Sequence, residues 1–221
     1  MPRRRTDLAD DLASSQHAGM GSGLAEAVAD LRRGAESWAI TPFARRSEVL
    51  HELLRTVAAN ARAWVDAGCA IEGHPAGDVP DAVRAEEIAT GPLAILRLLR
   101  LLAATHRHLA AGCLPPLPGP RTARGIPVFP TAALLDRWLF PGLTAHVEVD
   151  PDGPLQAPPA HGADSGRVAL VLGAGNLTSI PVGDTLHAVF VRGQAVLLKL
   201  HALHRELHEV LQSAFDPLLR R

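Results

Sequence analysis

The chain has 221 residues and a formal net charge of −1, so no global field favours nucleic acid or an anionic membrane surface. It is long enough for one large domain or two small ones with a real core, and at 4% aromatic residues with no tyrosine it offers few rings for stacking single-stranded nucleic acid. Two cysteines, Cys69 and Cys113, make neither a disulfide framework nor a metal box, which fits a reducing cytoplasm.

In chain order, Met1 to about Gly23 is rich in Gly and Ser without an apolar period and reads as a mobile arm. Arg3-Arg4-Arg5 has no apolar core behind it, as an export signal would need, and no apolar stretch has the length of a membrane span. Residues 24–142 read as a helical region. Leu24, Val28 and Leu31 recur at helical spacing up to Trp38. Thr41-Pro42 is an N-cap followed by a first-turn proline, opening a helix through Val49, Leu50, Leu53, Leu54 and Val57 to an end at Gly68. Pro80 starts another helix at Asp81. From Leu93 to Leu109 a Leu-rich helix carries Arg97, Arg100 and Arg107 on one stripe, while Ile88 to Leu135 holds no Asp or Glu. That stripe reads as a solvated face whose partners come from elsewhere in the fold, rather than as a surface for phosphate or acidic lipid. Leu114 to Pro130, with its prolines, is expected to be a covering loop or linker.

Residues 143–221 read as a strand followed by the start of a dinucleotide-binding α/β unit. Leu143 to Val149 alternates as a half-exposed strand with Leu143, Ala145, Val147 and Val149 on one face. Asp150 to Ser165 is loop. Val168 to Leu172 is an apolar run suited to a strand buried on both faces of a parallel sheet. Gly173-Ala174-Gly175-Asn176 breaks it with a turn of small residues. Pro181 then suits the first turn of a helix running to about Arg192, closed by Gly193, and Ala195 to Leu200 is a second strand. A last helix spans about Leu203 to Leu219. The fold class is therefore α/β, with N-terminal helices leading into the first strands of a doubly wound, Rossmann-like parallel sheet.

Three features carry candidate chemistry. Gly173 to Thr178 begins like a G-x-G-x-x-G fingerprint, with Thr178 in the place of the third glycine. Asn176, at the end of a strand, could offer its amide to a developing oxyanion, or it could serve only the turn geometry that Asn tolerates. Lys199 ends a strand where ligands of open α/β sheets gather, and could hold a ribose hydroxyl or phosphate or simply reach solvent. His201, His204 and His208 share nearly one face of the last helix, but without the Glu of H-E-x-x-H or an evident third ligand no metal is assigned. Cys69 and Cys113 sit in no recognisable nucleophile context and read as buried or incidental thiols.

From about Trp38 onward the chain resembles the N-terminal part of the aldehyde dehydrogenase superfamily. The helix marked by Trp38, Thr41-Pro42, Arg45 and Leu50 is similar to that family's opening helices. Gly166 to Asn176 looks like its first cofactor-domain strand and the P-W-N-type turn, and Gly193 to Lys199 looks like its G-N-x-V-x-x-K strand. Leu143 to Val149 would match the strand that pairs between its subunits. The resemblance implies oxidation of an aldehyde to an acid or acyl-CoA with NAD or NADP, through a thiohemiacetal on a cysteine. It implies that Asn176 is the oxyanion amide, that Leu172, Gly173 and Ala174 line the nicotinamide side, and that Lys199 contacts the adenosine ribose. Gly175 stands in place of the family's Trp, and Leu200 and Ala202 in place of its Pro and Glu. The family's Gly-rich cofactor turn, general-base Glu and nucleophilic Cys would lie beyond Arg221. The expectation is an incomplete oxidoreductase chain, inactive alone, cytoplasmic, and oligomeric with itself or a full-length relative. The substrate, if a catalytic half completes the protein, would be a small aldehyde; nucleic acid and membrane are not expected partners. A second expectation is a non-catalytic module that pairs with a full-length relative or another chain, covering an apolar face of Leu197, Leu200, Leu203, Leu207 and Leu211. A third is a different small α/β nucleotide-binding protein.

Overall fold

The computed structural model describes residues 23–75, 77–120, 125–131, 134–148 and 166–220. The expected N-terminal arm and the loop after Asp150 lie outside these residues, except for the described Gly23.

Helix α1 (23–39) turns into the long helix α2 (Phe43–Ile71) at a corner held by Arg46. Only 3% of Arg46 is exposed, and its guanidinium donates to the carbonyls of Trp38 at 2.7 Å and Thr41 at 3.0 Å while lying 5.0 Å over the Trp38 ring. Thr41 does not cap α2 through its side chain, as its spacing suggests. Its hydroxyl donates back to the Ser37 carbonyl at 2.9 Å, and Pro42 itself is the capping residue.

α2 buries Val49, Leu50, Leu53, Val57, Trp64 and Val65, a stripe at steps of three and four that makes it the axis of the core. The expected stop at Gly68 is not one. Gly68 lies inside the helix, where its missing side chain leaves room for the Glu87 carboxylate to cross it. The true end is a Schellman turn on Gly73 (φ 88°), where His74 N–H donates to the Cys69 carbonyl at 2.9 Å and Gly73 N–H to Ala70 at 3.0 Å.

Helices α3 (Asp81–Thr90) and α4 (Pro92–Ala110) follow, separated by Gly91. A Cβ on Gly91 would stand 2.6 Å from the Glu87 carbonyl, so glycine permits the close join. Contrary to the expectation from sequence, residues 81–110 together are long and apolar enough to pass for a membrane span by length and composition. The same composition serves packing: Ile95, Leu99, Leu102, Ala103 and His106 of α4 are buried against α2 and its neighbours.

Strand β1 (Ile126–Phe129) pairs antiparallel with β2 (Ala145–Val147), with helix α5 (Leu134–Leu139) between them. The segment expected to be only loop therefore contributes a strand. Pro127 is tolerated because both strands of a two-stranded ribbon are edges. Val147 is 49% exposed and Leu143 56%, so the apolar face of the alternation points outward.

Strand β3 (Val168–Leu172), helix α6 (Ile180–Phe190) and strand β4 (Ala195–Lys199) form a β-α-β unit whose strands pair in parallel, from Val168 opposite Ala195 to Leu172 opposite Lys199. Pro181 lies in the first turn of α6 and Gly193 (φ 70°) follows its end. β3 is not buried on both faces: Leu170 is 60% exposed and Leu172 68%. α6 packs on the pair and sends Val182, Leu186, Val189 and Phe190 into the core. Among the described residues each sheet has two strands, so the fold is mixed helix and strand with a small parallel pair.

A 3₁₀ turn (Ala202–His204) precedes helix α7 (Leu207–Leu219), which lies along α2. Leu207 and Leu211, expected on an uncovered apolar face, are instead in the core, whereas Leu203 is 59% exposed. One apolar cluster unites α2, α4, α6 and α7, with Thr56 donating across it to the Ala214 carbonyl at 2.6 Å.

Candidate functional site

The carboxyl end of the β3–β4 pair gathers the residues singled out in the sequence. Leu172 and Lys199 are register partners, and Gly173 N–H donates to the Lys199 carbonyl at 2.8 Å. A Cβ at Gly173 would lie 3.2 Å from that carbonyl, so the absence of a side chain lets the turn leave the sheet close beside Lys199. Leu172, Ala174, Asn176 and Lys199 are exposed and Gly173 is half-buried. Leu172, Gly173, Ala174 and Lys199 therefore border one open end of the sheet, the position at which α/β units take up ligands, and Asn176 follows in the turn.

The turn is tied to the helical layer. Thr178, in the place of a third fingerprint glycine, is 4% exposed and accepts at its hydroxyl from the Trp64 indole N–H at 3.0 Å. The Ser179 hydroxyl donates to the Thr90 carbonyl and does not cap α6, although Ser179 stands at its N-cap. The first N–H groups of α6 thus carry no side-chain cap at the end that the strand turn leads into.

The histidines are arranged differently from the single helical face expected. His201 lies at the end of β4 and caps the 3₁₀ turn, its Nδ1 accepting from Leu203 N–H at 3.2 Å. His204 ends that turn at 1% exposure, and His208 lies exposed in the first turn of α7. Two segments of different pitch replace one helix, and no group of three or more His, Cys, Asp or Glu among the described residues is placed to hold a metal ion. Burial lowers the His204 pKa, the nearby His201 lowers it further, and a hydrogen bond with the Gly175 backbone opposes both.

Neither thiol joins the site. Cys69 is buried in α2, where burial pushes its pKa up, and Cys113 is exposed after α4, donating to the His108 carbonyl at 3.3 Å. His106 is also structural, with Nδ1 2.9 Å from the Leu102 carbonyl and its ring edge-on to Phe43 and Phe190. A cavity of about 950 Å³ lies elsewhere, between α1, α6, β4 and α7. Trp38, Val182, Val196, Leu200 and Phe215 line it, whereas Asn176 and Lys199 do not. Its arginines are already paired, Arg45 with Glu48 and Arg220 with Asp216, and apolar side chains make up most of its wall.

Sequence reasoning missed Trp64, Thr90, His201 and His204 as supports of the turn. Only Thr178 gave a signal, as a polar residue in a glycine position. Comparison of the chain with protein-family models, with curated proteins and with solved structures returns no match.

Proposed function

We propose that this chain is the helical and first cofactor-binding part of an aldehyde dehydrogenase-family oxidoreductase, its β3–α6–β4 unit being the opening of a doubly wound, Rossmann-like sheet. The observation that carries the reading is the parallel register of Leu172 with Lys199, which brings the Gly turn and the lysine to one open end of the pair. Leu172, Gly173 and Ala174 present a small, partly apolar surface there, which suits the flat nicotinamide side of NAD or NADP. The Lys199 ammonium suits a ribose hydroxyl. The bound dinucleotide supplies the hydride acceptor. The Asn176 carboxamide is exposed beside the strand end, where its N–H₂ can donate to an aldehyde oxygen as negative charge develops on it.

The chain by itself supplies no attacking thiolate at this place, since Cys69 is buried within α2 and Cys113 follows α4. Pure protein is therefore expected not to oxidise aldehydes. The decisive experiment is titration with NAD and NADP, followed by calorimetry. Saturable binding that Lys199→Ala weakens about tenfold, the worth of one charge-assisted hydrogen bond, supports the reading. Asn176→Ala should leave that affinity within about twofold, because the amide acts on the carbonyl and not on the cofactor. Absence of saturable binding, or full affinity in the Lys199 variant, would overturn it.

A second reading is a non-catalytic module that pairs with a copy of itself, a full-length relative or another chain. It is favoured by a run of exposed apolar side chains around the β1–β2 ribbon: Leu134 is 82% exposed, Trp138 81%, Leu143 56% and Val147 49%.

A further inference from the structure

Two histidines with no assigned chemistry stand against the Gly turn. The His201 ring occupies the space that a side chain at position 175 would take: a Cβ on Gly175 would lie 2.7 Å from Nδ1, 3.0 Å from Cε1 and 3.2 Å from Cγ. That ring is not free to swing away without cost, because its Nδ1 caps the 3₁₀ turn at Leu203 N–H. Behind it stands His204, edge-on at 6.4 Å between ring centroids, 1% exposed and next to the Gly175 backbone. Its Nδ1 is buried without a partner among the described residues, which leaves the Gly175 backbone as the polar group beside the ring. A buried imidazole with one nitrogen unsatisfied costs stability, and a smaller apolar residue would fill the 3₁₀ turn without that cost.

We propose that His201 and His204 are positioning residues that lock the Gly173–Asn176 turn, and with it the Asn176 carboxamide, onto the carboxyl end of the β3–β4 pair. One ring takes the place of a side chain at 175 and so blocks the turn from folding toward β4. The other ties the Gly175 backbone to the start of the α7 segment. Trp64 and Thr90 hold the opposite flank through Thr178 and Ser179, so Asn176 projects from a loop anchored on both sides. The chemical use of that amide rests on the function proposed above; the anchoring does not.

Hydrogen exchange of the full chain, read by mass spectrometry over residues 173–178, tests it without cofactor. His204→Phe keeps the ring and removes the polar tie. It should speed exchange of the turn about five- to tenfold, the scale of one buried hydrogen bond, and leave α2 and α4 unchanged. Gly175→Ala should do the same by displacing the His201 ring. In a His201→Ala background, Gly175→Ala should add nothing, because the obstructing ring is gone. Unchanged exchange in His204→Phe would overturn the proposal, as would an alanine at 175 that costs the same with and without the His201 ring. Should His204→Phe fail to fold, the cycle on positions 175 and 201 decides alone. Should these effects appear in a protein that binds neither NAD nor NADP, the anchoring stands and the oxidoreductase reading falls.

Discussion

At the scale of single residues, two buried titratable groups set opposing pH dependences. Glu87 is 5% exposed, packed on Gly68 of α2, with Oε2 buried and without a hydrogen-bond partner among the described residues. Burial pushes its pKa up, and the neighbouring Glu72 and Glu86 push the same way. Its protonated form is therefore the one that folding favours. Below the ordinary Glu value of about 4.3 the carboxyl costs nothing, and the penalty grows as pH rises through the raised folded value. Glu87→Gln, neutral at every pH, should flatten that part of the profile and raise the melting temperature near pH 7 by roughly 2–4 °C per kcal/mol recovered. A variant that melts lower than the parent at pH 7 would show that the carboxylate is compensated. His204 acts in the other direction. Its lowered pKa favours the neutral ring, so its stabilisation is complete above the ordinary His value of about 6.5 and is lost as pH falls through the folded value. Glu87 was not legible as special in the sequence, and His204 stood out only as one of three spaced histidines, because burial of a side chain depends on which neighbour crosses it. Gly68 is the case in point: as a letter it reads as a helix end, and in the fold it is the gap into which Glu87 fits.

At the scale of elements, the ribbon and α5 are joined to α4 by one carboxylate. Asp136, 3% exposed, receives the Arg97 guanidinium in a fork with both bonds at 2.9 Å, and also accepts from the Thr131 amide at 3.0 Å and hydroxyl at 2.5 Å. Arg97 lies 5.2 Å over the Phe129 ring of β1, closing the contact. The Arg97 guanidinium beside it holds the Asp136 carboxyl well below the usual carboxylate range, against the opposing effect of burial, and Thr131 adds to the lowering. The sign is that of a depressed acid: the stabilisation is present above the ordinary Asp value of about 3.9 and is lost only as pH falls toward the folded value. Asp136→Ala should cost about 2 kcal/mol and bring the urea midpoint down by about 1 M at neutral pH, because it strands a half-buried guanidinium. An unchanged midpoint would show that the ribbon docks through apolar contact alone. The arginine stripe of α4 was visible from its spacing, and so was its need for a partner elsewhere. Which carboxylate answers it was not, since Asp136 lies 39 residues away across a proline-rich segment.

At the scale of the whole molecule, the core is well covered while two regions are not. α2, α4, α6 and α7 share one apolar cluster, yet Trp138, Leu134 and the outer ribbon face are in solvent, and β3 and β4 end in a two-stranded pair with Leu170 and Leu172 exposed. Light scattering after gel filtration should give a mass above that of one chain that rises with concentration. Trp138→Arg should return it toward the monomer. A monodisperse monomer across the range would count against pairing through the ribbon.

What the sequence determined by itself is local. Apolar spacing announced α2, α4 and both strands of the parallel pair. Pro181 and Gly193 bracketed α6, and the glycines at 173 and 175 marked the turn, because helix period, proline and glycine act through covalent geometry within a few residues. What only the tertiary structure decided is everything that depends on a distant neighbour. That includes the end of α2 at Gly73 rather than Gly68, the outward apolar face of the ribbon, the splitting of the last helix, and the gathering of Trp64, His201 and His204 against the turn at Gly175 and Thr178. Those outcomes follow from which side chains compete for the same space and the same hydrogen bonds, a question that a one-dimensional pattern does not pose.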